Sequence, residues 1–297
     1  MINKAFYGIK SDAGMFLLMS LPALLLFTAF FVIPSLSGIY YAFTDWDGLS
    51  RTYNIIWFDN FLMIFSDTRL QNALRFTLLY TIIIVASTIV LSLGIAILLN
   101  MNIKFRAFFR SVYFFPSVLS LITVGLIFSQ IYFIPLPMIG QALGIPWLST
   151  NILGNPRLAI AGILITNLWQ GLAMPTVIFL AGLQSVPGTL YEAATIDGAG
   201  VFAKFKHVTL PFLIPILNVN LVLAVRGGLT VFDYIMAMTN GGPGFATESI
   251  GILIYNQGFN QFRFGYGAAM SIMLLTIIAV ISIIQVNLLN RKEAGQQ

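Results

Sequence analysis

Six long stretches of this chain carry no aspartate, glutamate, lysine or arginine, and they restrict its fold more than any other feature. The charge-free stretches cover residues 13–44, 76–103, 111–156, 158–191, 208–225 and 264–290. A helix needs about 20 mostly apolar residues to cross the hydrocarbon core of a bilayer. We therefore predict an all-α integral membrane protein with about six transmembrane helices. The predicted spans are residues 15–41, 73–99, 109–132, 158–183, 211–238 and 266–289, within a single domain of residues 1–297.

The composition excludes several other classes of protein. Charged residues make up 8% of the chain and the mean hydropathy is +0.91, whereas about a quarter of a soluble domain is charged. A transmembrane β-barrel would show segments of about 10 residues with alternating polarity, but these stretches are continuously apolar. The first stretch is too long for a signal peptide and lacks a small-residue cleavage site, so we expect it to remain as the first helix. The basic residues are dispersed, which argues against nucleic-acid binding.

Lysine and arginine indicate the orientation in the membrane. With the N-terminus in the cytoplasm, all six lysines fall on the cytoplasmic side, and nine basic residues face five on the outside. Cytoplasmic loops carry an excess of lysine and arginine. We predict that both termini are cytoplasmic, and that the Pro- and Gly-rich residues 135–156 form an outside connection with one short surface helix.

The cytoplasmic connection at residues 184–210 has too much structural signal for a plain loop. Thr189 and Glu192 have the spacing of a capping box, which predicts a short helix over residues 191–196. Asp197-Gly198 is a helix stop, and a second short helix can begin at Val201. A helix–turn–helix of this kind suits docking into a groove on a cytoplasmic partner.

The same connection resembles the EAA loop of binding-protein-dependent ABC importer permeases. In that family the loop forms a coupling helix that lies in a cleft of the ATP-binding subunit. The resemblance implies a type I ABC importer permease and assigns ATPase coupling to two triplets of residues: Glu192, Ala193 and Ala194, then Asp197, Gly198 and Ala199.

A second motif narrows the family to a branch. Residues 231–233 (Val-Phe-Asp), 238–243 (Met-Thr-Asn-Gly-Gly-Pro) and 246–248 (Ala-Thr-Glu) resemble the carbohydrate, maltose-type branch, and in particular the first of its two non-identical permeases. The resemblance implies uptake of a sugar or oligosaccharide across a bacterial or archaeal cytoplasmic (inner) membrane. The implied partners are a second homologous permease, two ATP-binding subunits and an external solute-binding protein.

Residues of the fourth predicted span are candidates for contact with the sugar. Asn167, Trp169, Gln170 and Gly171 combine amide groups, an aromatic ring and bare backbone, and Pro175 can break the helix nearby. By resemblance to the maltose permease, Asn167, Gln170, Gly171 and Met174 correspond to the sugar-contacting face. The alternative is that Trp169 packs on lipid or on a neighbouring helix.

The fifth predicted span contains a charge at membrane depth. Arg226 must face protein or water there, and Asp233 follows seven residues later, on nearly the same stripe of a continuous helix. Gly227 and Gly228 between them permit a bend or a close approach of ligand. These four residues are candidates for the substrate pathway; the alternative is an internal ion-pair network that packs the bundle.

Catalytic and metal sites are not predicted. The chain has no phosphate-binding loop motif, so we expect that it is not an enzyme and binds no cofactor directly, while ATP and magnesium are used by the partner ATPase. His207 is the single histidine and no cysteine is present. Two alternatives remain: first an ABC importer for another class of solute, and second, ranked below it, an ATP-independent transporter. The sequence leaves open which sugar is carried, and Arg226 leaves an anionic sugar open.

Overall fold

The computed structural model describes residues 9–101 and 104–294, and this part of the chain is almost entirely helical. Its helices are α1 (Ile9–Phe27), α2 (Ile33–Tyr41), α3 (Asp59–Ser66), α4 (Thr68–Asn100), α5 (Arg106–Phe114), α6 (Leu121–Phe133), α7 (Pro135–Ala142), α8 (Ala159–Gly171), α9 (Ala173–Ser185), α10 (Gly188–Ile196), α11 (Val201–Lys204), α12 (Leu210–Leu229), α13 (Asp233–Met238), α14 (Ile250–Tyr255) and α15 (Phe264–Ala294).

Five helical stretches among the described residues are long and apolar enough to cross a membrane, and a bent pair of helices makes a sixth. The five are Met15–Tyr41, Thr68–Asn100, Leu121–Ala142, Val201–Leu229 and Phe264–Asn287, and the bent pair is α8 with α9. The prediction of an all-α membrane protein with about six spans is therefore confirmed.

The second span begins earlier than its predicted start at residue 73. The Asp67 carboxylate accepts hydrogen bonds from the backbone N–H groups of Arg69 and Leu70, and α4 begins at Thr68. A side-chain acceptor at this position satisfies donors that the first turn of a helix leaves unpaired. The charges of Arg69 and Arg75 had placed the predicted boundary too late.

The third predicted span, residues 109–132, is not one helix. It is interrupted after Phe114 by a 3₁₀ turn, Phe115–Val118, and α6 begins only at Leu121. Pro116 has no backbone N–H to donate, which favours an interruption here. The span then runs past residue 132 to Ala142, because Pro135 occupies the first turn of α7, where its missing N–H costs nothing. The short helix expected after residue 135 is thus part of this span.

The fourth span bends by 45° between α8 and α9. The bend lies at Leu172, next to Gly171, whose carbonyl precedes Pro175 by four residues. A proline removes this hydrogen bond and its ring clashes with the same carbonyl, so the break that Pro175 led us to expect is present.

The fifth predicted span, residues 211–238, has the wrong boundaries at both ends. The helical stretch begins at Val201 and ends at Leu229, and Asp233–Met238 is the separate helix α13. Thr230 Oγ1 donates to the Arg226 carbonyl (2.9 Å), and Ser249 Oγ donates to the Val231 carbonyl (2.8 Å). Backbone acceptors that a broken helix exposes are thereby satisfied, so the break is stable.

The described chain forms two compact units. One contains the residues up to Ser66 with Ile254–Met273, and the other contains Asp67–Leu253 with the residues from Leu274 onward. In the first unit, the Asn60 side chain donates to the carbonyls of Ala42 (2.9 Å) and Thr44 (2.8 Å), which fixes α3 beside the end of α2. In the second unit, α12 packs against α4 and α9. The apolar core of this second unit includes the fully buried Tyr80, Ile163 and Ile235.

Candidate functional site

A cavity of about 350 Å³ lies in the second unit where two interrupted spans meet α4. The bend between α8 and α9 forms one wall, and the break between α12 and α13 forms another. Interrupted helices expose backbone groups at membrane depth, and such segments are tolerated where they line a cavity. Six of the nine predicted pathway residues line this cavity: Asn167, Gly171, Met174, Gly227, Gly228 and Asp233.

Asn167 and Gly171 shape the wall contributed by the fourth span. Asn167 is partly buried, and its Nδ2 donates to the Tyr80 hydroxyl at 2.6 Å. A Cβ at position 171 would lie 2.9 Å from Asn167 Oδ1, so glycine leaves the amide room. Met174 is 63% exposed and adds a flexible apolar surface to the same wall.

The two neighbouring glycines of the fifth span have different surroundings. A Cβ on Gly228 would lie 2.9 Å from Thr81 Cα, so this glycine allows α12 to approach the backbone of α4 closely. A Cβ on Gly227 would meet nothing within 4 Å. Gly228 therefore serves packing, whereas Gly227 leaves the cavity open.

Gln170 and Trp169 do not line the cavity. Gln170 is almost fully buried; it donates to the Leu119 carbonyl (2.8 Å) and accepts from the Tyr234 hydroxyl (2.8 Å). It thus ties α8 to α13 beside the helix break. The Trp169 ring packs against Phe128 of α6 with 5.2 Å between ring centroids, as the packing alternative expected.

Arg226 and Asp233 do not share a helix stripe, so that expectation is wrong. The break after Leu229 separates them, because Asp233 is the first residue of a new helix. Asp233 lines the cavity, while Arg226 is exposed and lies outside the lining. The alternative of an ion-pair network at this position is not supported either, since Arg226 forms no ion pair within the described part of the chain.

Sequence reasoning missed the contribution of α4 to the cavity. Ile84 and Thr88 line it, and Tyr80 contacts Asn167 on its wall. A usable signal was present, because hydroxyl residues recur at helical spacing within an otherwise apolar stretch: Thr77, Thr81, Thr88 and Ser92. Such a pattern indicates a polar or closely packed helix face inside the bundle.

The ion pair between Arg69 and Glu248 was also missed. It is bidentate, with Nε to Oε2 at 2.8 Å and Nη2 to Oε1 at 2.7 Å, and the Arg69 guanidinium lies 4.1 Å from the Phe245 ring centroid. The Thr77 hydroxyl accepts from the Ile250 N–H at 3.0 Å. Together these contacts bind the carbohydrate-type motif at residues 238–248 to the start of α4.

The predicted coupling segment forms α10 and the turn that follows it. Glu192, Ala193 and Ala194 lie in α10, and Asp197 follows its end. Gly198 has φ +76, and the N–H of Ala199 bonds to the Ala194 carbonyl at 2.9 Å. The stop predicted at Asp197-Gly198 is therefore confirmed.

Two details of this segment differ from the prediction. The capping box is absent, because α10 begins at Gly188 after Pro187 without a side-chain cap, which places Thr189 inside the first turn. The helix from Val201 is not separate but continues into the fifth span. The Tyr191 hydroxyl lies 2.8 Å from Thr209 Oγ1, and Lys204 Nζ donates to Thr195 Oγ1 (2.8 Å), so α10 is tied to this span.

The exposed surface of the coupling segment is apolar. Ile196, Val201 and Phe202 are all more than three-quarters exposed. His207 is exposed too, with its Nδ1 3.0 Å from the Ala203 carbonyl. Over the described ranges, no three His, Cys, Asp or Glu side chains are grouped as a metal site would require.

Comparison with known proteins places this architecture among transporters. The family described as binding-protein-dependent transport system inner membrane component matches residues 88–293. The multiple sugar-binding transport system permease protein MsmF of Streptococcus mutans is 41% identical over 270 residues, which cover 91% of this chain and 93% of that protein. The trehalose/maltose transport system permease protein MalF of Thermococcus litoralis is 34% identical, covering 91% of each.

Solved structures show the same fold. A chain from a bacterial ABC transporter involved in the import of the acidic polysaccharide alginate superimposes with a TM-score of 0.81 at 23% identity, covering 95% of this chain and 97% of that chain. A second chain, from the alginate transporter in complex with a pentasaccharide-bound periplasmic protein, gives a TM-score of 0.77 at 22% identity.

Proposed function

Because this chain belongs to the binding-protein-dependent transport system inner membrane components, we propose that its cavity is half of the pathway through which an ATP-driven importer carries a sugar. The chain is a multi-pass membrane permease subunit of a sugar importer, and ATP is hydrolysed by separate subunits. The observation that carries the proposal is the cavity of about 350 Å³ at two helix interruptions.

The lining of the cavity suits a sugar. Sugar hydroxyls need donors and acceptors in several directions, and the amide of Asn167, the hydroxyl of Thr230 and the backbone at the helix break supply them. Apolar side chains such as Met174 and Ile84 can contact the C–H faces of the rings. A mostly apolar cavity with few placed polar groups is typical of ligand sites.

The charge of the lining favours an uncharged sugar. Asp233 is the single ionisable acid or base of the cavity lining besides the weakly acidic Tyr234. A carboxylate repels an anionic sugar at short range, and the repulsion is stronger where water is excluded. Arg226 lies outside the lining, so Asp233 is the charged side chain that a sugar in the cavity contacts. The transporters of the acidic polysaccharide alginate resemble this chain in fold, at 22–23% identity. That similarity does not assign their acidic substrate to this chain.

The coupling segment supports a connection to the ATPase. The apolar surface around Ile196, Val201 and Phe202 suits a groove on a cytoplasmic partner. The fifth span runs over 29 residues from Val201 to Leu229, where the break at the cavity begins. At about 1.5 Å per residue this helix is roughly 43 Å long, so movement of its cytoplasmic end can reach the cavity.

The assembly that follows from this proposal has several subunits. A second homologous permease completes the pathway, two ATP-binding subunits use ATP and magnesium, and an external solute-binding protein delivers the sugar. No cofactor is bound by this chain. The family implies the cytoplasmic (inner) membrane of a bacterium or archaeon, and the excess of lysine on one side favours an orientation with both termini in the cytoplasm.

Uptake by the complete transporter tests the proposal. The four kinds of subunit are reconstituted in proteoliposomes, and uptake of radiolabelled maltose, trehalose, maltotriose and an acidic alginate trisaccharide is measured with ATP on the side of the ATPase. We expect uptake of at least one neutral sugar, and loss of that uptake when the ATPase is inactivated by substitution. Uptake of the acidic sugar but of none of the neutral sugars would overturn the inference that the transported sugar is uncharged. Uptake that persists without ATPase activity would favour an ATP-independent transporter.

A further inference from the structure

A second cavity, of about 440 Å³, lies near the start of α4. It is lined on one side by residues of α4, namely Thr68, Arg69, Asn72 and Phe76, and on the other by Phe245 and by Glu248, the ion-pair partner of Arg69. The amide of Asn72 is exposed and has no hydrogen-bond partner among the described residues. Amide, aromatic rings and a paired charge form a lining that suits an uncharged sugar ring.

Tyr80 connects this second cavity with the first. Its ring stacks on Phe76, which lines the second cavity, with 6.0 Å between the centroids. Its hydroxyl accepts a hydrogen bond of 2.6 Å from Asn167, which lines the first cavity. Tyr80 itself is fully buried and lines neither.

We propose that Tyr80 is the barrier between two sugar-holding cavities arranged along α4. The inference rests on the proposed function, because it takes the first cavity as part of the sugar pathway. Phe76, Tyr80, Ile84 and Thr88 recur every four residues and so form one ridge of the helix. A sugar that moves along this ridge from one cavity to the other meets the Tyr80 ring, which contacts a lining residue of each cavity.

The hydrogen bond from Asn167 fixes the orientation of the barrier. Nδ2 of Asn167 carries two hydrogens, so it can donate one to the Tyr80 hydroxyl and the other to a sugar hydroxyl in the first cavity. Loss of the Tyr80 hydroxyl therefore frees the ring but leaves in place the amide that contacts sugar.

Passive efflux tests the barrier. The complete transporter carrying Tyr80→Ala is reconstituted without ATP in proteoliposomes loaded with radiolabelled glucose and a fluorescent dextran, which reports vesicle integrity. We expect glucose to leave at least tenfold faster than from wild-type proteoliposomes, with the dextran retained. Tyr80→Phe keeps the ring and its packing but loses the bond to Asn167, and we expect efflux several-fold faster than wild type.

A second buried tyrosine of the same core provides the control. Tyr132 donates to the Gly162 carbonyl at 3.2 Å and lines neither cavity, so Tyr132→Ala loses a buried ring without opening a route. Efflux from Tyr80→Ala and Tyr80→Phe that equals wild type, or that Tyr132→Ala matches, would overturn the inference. Failure of wild-type ATP-driven uptake would instead overturn the proposed function, and the two results are read separately.

Discussion

Gly227 and Gly228 are adjacent, yet substitution at each should have a different consequence. A leucine at position 227 extends into open space in the cavity, so we expect Gly227→Leu to fold normally and to reduce sugar uptake at least tenfold. A leucine at position 228 collides with the backbone of Thr81, and overpacking of this kind costs about 1–3 kcal/mol. Uptake rates and melting temperatures of the two variants, measured side by side, separate the roles.

The Gly227 result bears directly on the pathway. If Gly227→Leu folds and transports at the wild-type rate, the cavity beside it does not carry the sugar. Equal losses of thermal stability in both variants would contradict the different surroundings of the two glycines.

Gly198 is required for its backbone conformation rather than for space. Its φ of +76 suits glycine, and a Cβ there would meet nothing within 4 Å. A β-branched side chain in this region costs roughly 1–2 kcal/mol, which is enough to shift the turn after α10. We expect Gly198→Val to reach the membrane but to lose uptake, as measured by membrane fractionation and transport.

Gly200 offers a matched control for Gly198. It also has open space around its Cβ position, but its φ is −70. Gly200→Val should therefore transport much better than Gly198→Val. Equal transport by both variants would contradict the role assigned to the turn.

At the residue scale, sequence reasoning found the chemistry of the cavity but not its orientation. Asn167, Gly171 and Met174 line it, whereas Gln170 turns towards Tyr234 and the Leu119 carbonyl. Residue types along a helix indicate which groups are available. Which of them face a cavity depends on the bend at Leu172. Because of that bend, the residues that face the cavity before it and after it do not lie on one continuous face of a helix.

The ion pair between α4 and the motif at residues 238–248 should affect stability most when only one of its two side chains is removed. Glu248 is 2% exposed and Arg69 28% exposed. Removing one partner of a buried pair costs about 3–5 kcal/mol, and the partial exposure of Arg69 places the expected loss for Arg69→Met near the lower end. Thermal unfolding of the purified subunit measures this loss.

The double substitution Arg69→Met with Glu248→Leu is the matched control. It removes both charges, so no carboxylate is left buried without a partner, and a large part of the lost stability should return. A double variant less stable than Arg69→Met would show that the two side chains do not act as a pair.

At the scale of helices, the charge-free stretches predicted which segments cross the membrane, but not where they break. The break after Leu229 directly follows Gly227 and Gly228, which were expected to permit a bend, but the contact that satisfies the Val231 carbonyl comes from Ser249, which is distant in sequence. No local pattern of residues 211–238 reports that contact. The bend of the fourth span was predictable from Pro175, because a proline disrupts a backbone hydrogen bond of the helix that contains it.

At the scale of the molecule, the fifth span joins the segment proposed to meet the ATPase with the cavity proposed to hold sugar. Its N-terminal part is tied to α10 through Thr209 and Lys204, and its other end is Leu229. This continuity became visible only in the structure, because the sequence had divided the same stretch into a loop helix and a later span. Under the proposed function, closure of the ATPase moves one wall of the cavity through this continuous helical stretch.

If the proposed function is correct, sugar passes through the cavity bounded by α4, the bend of the fourth span and the break of the fifth. Met174 is exposed on its wall, and the chain contains no cysteine, so Met174→Cys introduces one reactive thiol. In proteoliposomes with cysteine-free partner subunits, the rate at which a labelled methanethiosulfonate reagent attaches to this subunit is measured with and without the transported sugar. Leu143→Cys, exposed but outside the cavity lining, is the control.

We expect modification of Met174→Cys to block uptake, and we expect the transported sugar to slow modification there at least several-fold while leaving the modification of Leu143→Cys unaffected. Full transport after complete modification of Met174→Cys, or a modification rate that the sugar leaves unchanged, would contradict the passage of sugar through this cavity.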